Sequence, residues 1–199
     1  FIFSTQYRNP LDFSEKSMQD AISGLDRLYE CAVNIEQLSQ VETSTETESI
    51  ISKKDRGKLE SMEERFQQAM DNDFNTAQAQ GIFFDTAKIL NKVKRMLPDT
   101  PATADVDLLL STLATLKKLS AVMGILTEDA STYLANKKAA MLANLTIDEA
   151  SIVKLIEERN KAKEDKNWER SDQIRDELLA QGIELKDSAD GTTWSVKKS

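Results

Sequence analysis

Between residues 18 and 38 the apolar side chains fall three or four positions apart: Met18, Ala21, Ile22, Leu25, Leu28, Tyr29, Ala32, Ile35 and Leu38. That spacing puts them on one face of a helix, and a helix with one apolar face must bury it against another element. The pattern returns three times. Leu59, Met62, Phe66, Ala69 and Met70 carry it first. Ile82, Phe83, Thr86, Ala87, Leu90, Val93 and Leu97 follow, as far as Pro98 and Pro101, which break a helix. Val106, Leu109, Leu110, Leu113, Leu116, Leu119 and Met123 make the fourth run, which stops at Gly124. Four amphipathic helices with mostly short links predict an antiparallel bundle. Ser14, after an extended lead-in over residues 7–13, is the expected N-cap of the first. Cys31 lies beside the apolar face and reads as a small buried hydrophobe.

The links carry their own signals. Residues 40–56 are rich in Thr, Ser and Glu and predict a polar, solvated and mobile connection. Asp71, Asp73 and Asn75 have the spacing of a calcium loop, but Thr76 stands where such a loop needs Gly and Ile82 where it needs a bidentate Glu. The expected role of these residues is to end one helix and cap the next. Residues 127–145 fit either a short helix or a linker docked on the bundle.

The tail is built differently. Thr146 and Glu149 form an expected capping box, followed by an apolar face of Ile152, Leu155, Ile156 and Ala162. A second helix is expected from about Asn167, burying Ile174 and Leu178 and ending at Gly182. There the period shortens to two. Ile183 and Leu185 alternate with Glu184 and Lys186, and Thr192, Trp194 and Val196 alternate with Thr193 and Ser195. With Asp190-Gly191 as turn residues this predicts a β-hairpin, which must pack on the two helices to be stable. The predicted fold class is therefore mainly α: an antiparallel helical bundle over residues 1–145, then a small α/β domain of two helices and a β-hairpin over 146–199.

Composition narrows the chemistry. The 199 residues include no His, which excludes a His general base, a Ser-His or Cys-His nucleophile and a His-ligated zinc. Neither a P-loop nor a G-x-G-x-x-G stretch is present, so no nucleotide pocket of those kinds is expected. The chain itself is expected to be non-catalytic and to hold no metal. The single Cys fits a reducing, cytoplasmic setting, and no apolar run approaches the ~20 residues that span a membrane. The opening Phe1-Ile2-Phe3 reads as the cut end of a larger protein. Net charge is −8, of which residues 151–199 carry −1, leaving −7 on the rest. A phosphate-binding domain should show a basic stripe, and the sequence displays none.

Both tryptophans lie in the tail. Trp168 falls outside the Ile174/Leu178 face, with Asp172 one turn further on. A half-exposed indole beside a carboxylate could stack an unpaired RNA base and accept donors from its edge. It could equally be a staple onto the neighbouring helix, with Asp172 and Arg175 a surface pair. Trp194, in phase with the inward strand residues, reads as structural.

The tail residues Glu158-Arg159-Asn160, Ala162-Lys163, Trp168, Asp172, Ile174-Arg175-Asp176, Gly182-Ile183, Asp187 and Gly191-Thr192-Thr193-Trp194 resemble the C-terminal end of bacterial cysteinyl-tRNA synthetases. The likeness extends upstream to Tyr7-Arg8, to residues 10–14, to Met70-Asp71 and to residues 73–76. It implies a DALR-type helical domain that lies along the tRNA, followed by an anticodon-binding domain with contacts at Lys163, Trp168, Asp172 and Asp187. Lys163 stands where the family commonly has Arg, and Gln6 where it tends to have His. The implied partners are the cysteine tRNA and a missing N-terminal catalytic domain, to which ATP and zinc belong; no DNA and no membrane are expected. A rival expectation from the acidic bundle and its polar loop is a protein-interaction scaffold with no RNA role.

Overall fold

The computed structural model describes residues 1–143, 145, 147–188 and 191–196. The chain divides into two compact units, Phe1–Leu134 and Ala135–Ser199. Its elements are helices α1 (Glu15–Glu36), α2 (Lys53–Glu60), α3 (Met62–Asp71), α4 (Thr76–Lys94), α5 (Thr103–Ala121), α6 (Ala130–Ala143), α7 (Glu149–Glu164) and α8 (Trp168–Ala180), then strands β1 (Ile183–Ser188) and β2 (Gly191–Val196). This is the mainly helical chain with a terminal hairpin that the apolar periods predict. Among the described residues no helix is long and apolar enough to cross a membrane.

In the larger unit Ser14 caps α1. Its hydroxyl accepts from the Ser17 N–H, and Ser17 Oγ accepts from the Ser14 N–H, closing a capping box with Ser in the usual Glu place. The apolar faces meet as expected: Cys31, Ala32, Ile35, Phe83, Leu90, Leu109 and Leu116 have no exposed surface. Burial also pushes the Cys31 thiol up to about 12, so it serves as a small hydrophobe and not as a thiolate. Phe66 stacks on Phe83 at 5.5 Å between centroids.

Residues 127–145 resolve in favour of the helix. Asp129 accepts from the Thr132 N–H at 2.8 Å at the start of α6, and its carboxyl is held near 2 by the Ser131 hydroxyl and then by Thr132. Tyr133 then stacks on Tyr29 at 3.8 Å and donates to Asp26.

Two expectations need correction here. The single helix read through Leu59 and Met70 is two, α2 and α3, parted at Ser61, whose hydroxyl donates to the Gly57 carbonyl at 2.7 Å. More consequentially, residues 40–56, though exposed along most of their length, are not simply a connection: they are tied to the start of α5 and include the first turn of α2. Ser44 forms a parallel bridge to Ala102, and the Thr103 hydroxyl donates to Thr43. Ile51 is buried, and Ser52 caps α2, which already begins at Lys53. At the centre is Asp105, in the first turn of α5 and wholly buried. Its carboxylate accepts from the Ser49 hydroxyl, from the Ile50 N–H at 2.8 Å and from Arg56 at 3.3 Å. A few of the segment's polar groups are thus bonded to the fold, which composition cannot distinguish from bonds to water.

At the α3–α4 corner Asp73 and Phe74 both take positive φ, 56° and 50°, and Asn75 caps α4 through the Gln78 N–H at 3.0 Å. Asp73 accepts from the Tyr7 hydroxyl at 2.8 Å and pairs with Arg8, tying the lead-in to this corner. These residues cap and tether, as their short polar side chains suggest.

The smaller unit has its own core of Ile152, Ile174, Leu178 and Ile183, all without exposed surface, with Leu155, Leu185, Trp194 and Val196 around it. α7 is capped by Asp148, which accepts from the Ser151 N–H at 2.7 Å, so Glu149 opens the helix instead of standing third in it. The expected cap Thr146 lies outside the described residues. β1 and β2 pair antiparallel, with Ile183 opposite Val196, Leu185 opposite Trp194 and Ser188 opposite Gly191. Asp190, the first residue of the expected turn pair, also lies outside the described residues; Gly191 has φ 126°, a value that a side chain would strain. Trp194 packs on the core under the Lys138 ammonium, 4.8 Å from its ring centroid, and is structural.

Candidate nucleic-acid interface

Arg159 and Lys163 are one turn apart on α7, hence on one face. Asp187 on β1 and Thr192 on β2 are register partners across the hairpin. The small core brings these two pairs together. Both terminal nitrogens of Arg159 reach the two Asp187 oxygens at 3.0 Å, a bidentate clamp, and Lys163 Nζ adds a third donor at 2.8 Å. Thr192 Oγ1 lies 2.7 Å from Asp187 Oδ1 and 3.1 Å from Asn160 Oδ1. Arg159 is 4% exposed, whereas the Asp187 side chain is 49% exposed. The guanidinium first, then Lys163 and Thr192, hold the Asp187 carboxyl far below the ordinary carboxylate range.

Trp168 opens α8, directly after Asn167, which caps the helix through the Arg170 N–H at 3.2 Å. The indole is 61% exposed, so it does not staple α8 to its neighbour. That connection is made by Arg170, which bonds Glu158 at 2.8 Å on α7 and Glu177 at 3.2 Å on its own helix. Asp172 follows Trp168 by four residues on the same face. It is exposed and has no hydrogen-bond or ion-pair partner among the described residues, Arg175 included.

The four sequence-predicted positions thus form two pairs. Lys163 and Asp187 are bonded to each other, and Trp168 and Asp172 share the first turns of α8. No hydrogen bond or ion pair among the described residues joins one pair to the other. Sequence reasoning missed Arg159 as a member. Its i, i+4 spacing to Lys163 was visible, but the carboxylate that makes use of it lies 28 residues away. The arrangement offers an open aromatic face, a free carboxylate that can only accept, and a lysine with two further donors beyond the one spent on Asp187. For a zinc ion the residues present do not fit. No group of three or more His, Cys, Asp or Glu able to hold a metal occurs among the described residues, and Cys31 is buried and far from a thiolate.

Comparison with known proteins agrees with this division. Residues 65–127 match the DALR domain, and residues 149–194 match the cysteinyl-tRNA ligase anticodon binding domain. The second match includes all four positions just described. The chain is 51% identical over its whole length to the cysteine–tRNA ligase of Desulfotalea psychrophila, and it spans 40% of that relative. It is 38% identical over 99% of its length to that of Geobacter sulfurreducens, again spanning 40%, and 32% identical to that of Thermodesulfovibrio yellowstonii, spanning 39%. By these matches the chain carries a DALR domain and a cysteinyl-tRNA ligase anticodon binding domain, and it is similar along its whole length to cysteine–tRNA ligases of which it spans about 40%.

Proposed function

We propose that the chain is the tRNA-binding C-terminal part of a cysteine–tRNA ligase, and that its small α/β unit reads anticodon bases of the cysteine tRNA. The observation that carries this reading is the open Trp168 ring beside the unpaired Asp172, inside the residues that match the anticodon binding domain. Trp168 stacks a base, and Asp172 accepts from its edge. Lys163 offers its remaining donors to a base or phosphate. Asp187 acts through its neighbours. Three donors already occupy its carboxylate, so it orients Lys163 and Arg159, and a base edge would have to displace one of them. Recognition without a basic tail is consistent with contacts made to base edges. Cysteine activation, with its ATP and zinc, falls to the remainder of the family's polypeptide.

The test is binding of the chain to a cysteine tRNA transcript with its GCA anticodon and to the same RNA with one anticodon base changed, at one salt concentration. The unchanged RNA is expected to bind roughly tenfold more tightly. Trp168→Ala should weaken binding of the GCA transcript by about 1.4 kcal/mol, at the lower end of what base stacking contributes, without moving the thermal unfolding midpoint. Equal binding to the two RNAs, or a Trp168→Ala chain that binds as well as its parent, would refute base reading by this unit.

A further inference from the structure

The corner between α7 and α8 is closed by its own backbone. The Asn167 N–H donates to the Ala162 carbonyl at 2.8 Å and the Lys166 N–H to the Lys163 carbonyl at 3.1 Å, the pair of bonds that ends a helix on a residue of positive φ. Here that residue is Lys166, with φ 58°. The other helix of the hairpin ends on Gly182, φ 81°, the residue type for which this conformation costs least. A side chain at positive φ crowds its own backbone, so α7 ends at a cost that α8 avoids. Asn167 then caps α8, and Trp168 is the first residue of that helix. Lys166 is thereby fixed two residues before the open indole.

Packing supplies no reason for a lysine here. Its side chain is exposed and has no hydrogen-bond or ion-pair partner among the described residues, although Glu164, Asp165 and Glu169 lie within three positions of it. Around the indole the charges otherwise oppose RNA: in residues 164–172, Glu164, Asp165, Glu169 and Asp172 stand against Lys166 and Arg170. Arg170 is held by Glu158 and Glu177, and Lys163 on the preceding turn is held by Asp187. Lys166 is the cation of this stretch that folding leaves unpaired among the described residues. An ammonium on a flexible stem meets a phosphate as a point charge, which suits it better than a planar base edge.

We infer that Lys166 is a further RNA-contacting residue of the small unit, held at positive φ so that its ammonium takes the phosphate of the nucleotide stacked on Trp168. The inference deepens the reading of Trp168 as a stacking plate and rests on it. It also accounts for how a ring set among four carboxylates admits a polyanion. A purely structural Lys166 carries the opposite expectation: glycine there would improve the fold and leave RNA binding as it was.

The experiment compares the whole chain with K166G, K166R and a control, K154Q, which removes an exposed charge from the first half of α7. Thermal unfolding is followed by tryptophan fluorescence, and binding is measured across a salt series with the GCA transcript and with its base-changed form. K166G is expected to raise the unfolding midpoint by about 3 °C, because the strained backbone is relieved. It should at the same time bind both RNAs about fivefold more weakly, with the slope of log affinity against log salt flatter by about 0.7, one contact to single-stranded RNA. K166R, which keeps the charge, and K154Q should each stay within about twofold of the parent. A K166G chain that is less stable than its parent, or that binds RNA as tightly, would overturn the contact. So would a K166R or K154Q chain that loses as much as K166G, or a parent that binds no RNA. Base reading is judged separately. A loss in K166G with no GCA preference in the parent sinks base reading and leaves the phosphate contact; a GCA preference with an unchanged salt slope in K166G does the reverse.

Discussion

Replacing Asp105 by Asn is expected to lower the stability of the helical unit by about 3 kcal/mol, near the low end for breaking a buried charge pair from one side. Asp105 has no exposed surface, and three donors converge on it. An amide keeps one acceptor but turns an NH2 towards the Arg56 guanidinium or the Ile50 N–H, so donor meets donor at a buried side chain. The loss extends beyond one contact, because the same carboxylate holds residues 49 and 50 against the start of α5. Urea unfolding followed by far-UV circular dichroism would check this. The midpoint should fall with little change in slope. Ser49→Ala, which removes one donor and leaves the charge paired, should cost only about 1 kcal/mol. An Asp105→Asn chain that unfolds with its parent would show that the 41–52 segment is not held by this residue.

Replacing Asp187 by Asn should destabilise the small unit by about 2 kcal/mol. The figure is reduced from that for a fully buried pair because half of the carboxylate faces solvent. What makes it large for a surface residue is Arg159. That side chain is 4% exposed, its Nε has no hydrogen-bond partner among the described residues, and its two terminal nitrogens both bond Asp187. Both tryptophans of the chain lie in this unit, so their fluorescence reports its unfolding selectively. The pH dependence carries a definite sign. The Asp187 carboxyl is depressed in the folded state, so the ionised form is the one that folding favours. Its contribution is complete above the ordinary carboxylate value of 3.8 and fades as the pH falls below it. The parent should therefore lose stability on acidification below that value more steeply than Asp187→Asn does. Parallel curves would rule out the clamp as a stabilising element. Because Lys163 leans on the same carboxylate, the variant should also blur its position towards RNA.

Much of this architecture was legible from period alone. Apolar residues at three- and four-residue spacing can be satisfied only by burying a helical face, and the change to a two-residue period after Gly182 can be satisfied only by a strand. Ser14 and Asn75 were legible as caps because capping is decided within three residues of chain. The place of Trp168 off the Ile174/Leu178 face was legible in the same way, but whether the ring was open or a staple was left to the structure, which exposes it.

What failed to show in the sequence was every feature made by residues far apart in it. The ties of the 40–56 segment do not show in its sequence, because Ser49 and Arg56 look identical whether water or Asp105 satisfies them. Arg159 and Asp187 are an unremarkable Arg and Asp until the hairpin register sets one against the other. The sequence by itself determined the apolar faces of the main helices and the hairpin, since propensity and apolar spacing act within one element. Only the tertiary structure decided the buried Asp105 latch and the Arg159–Asp187–Lys163 clamp. Electrostatics acts through space, and chain position does not record which charges folding will make neighbours.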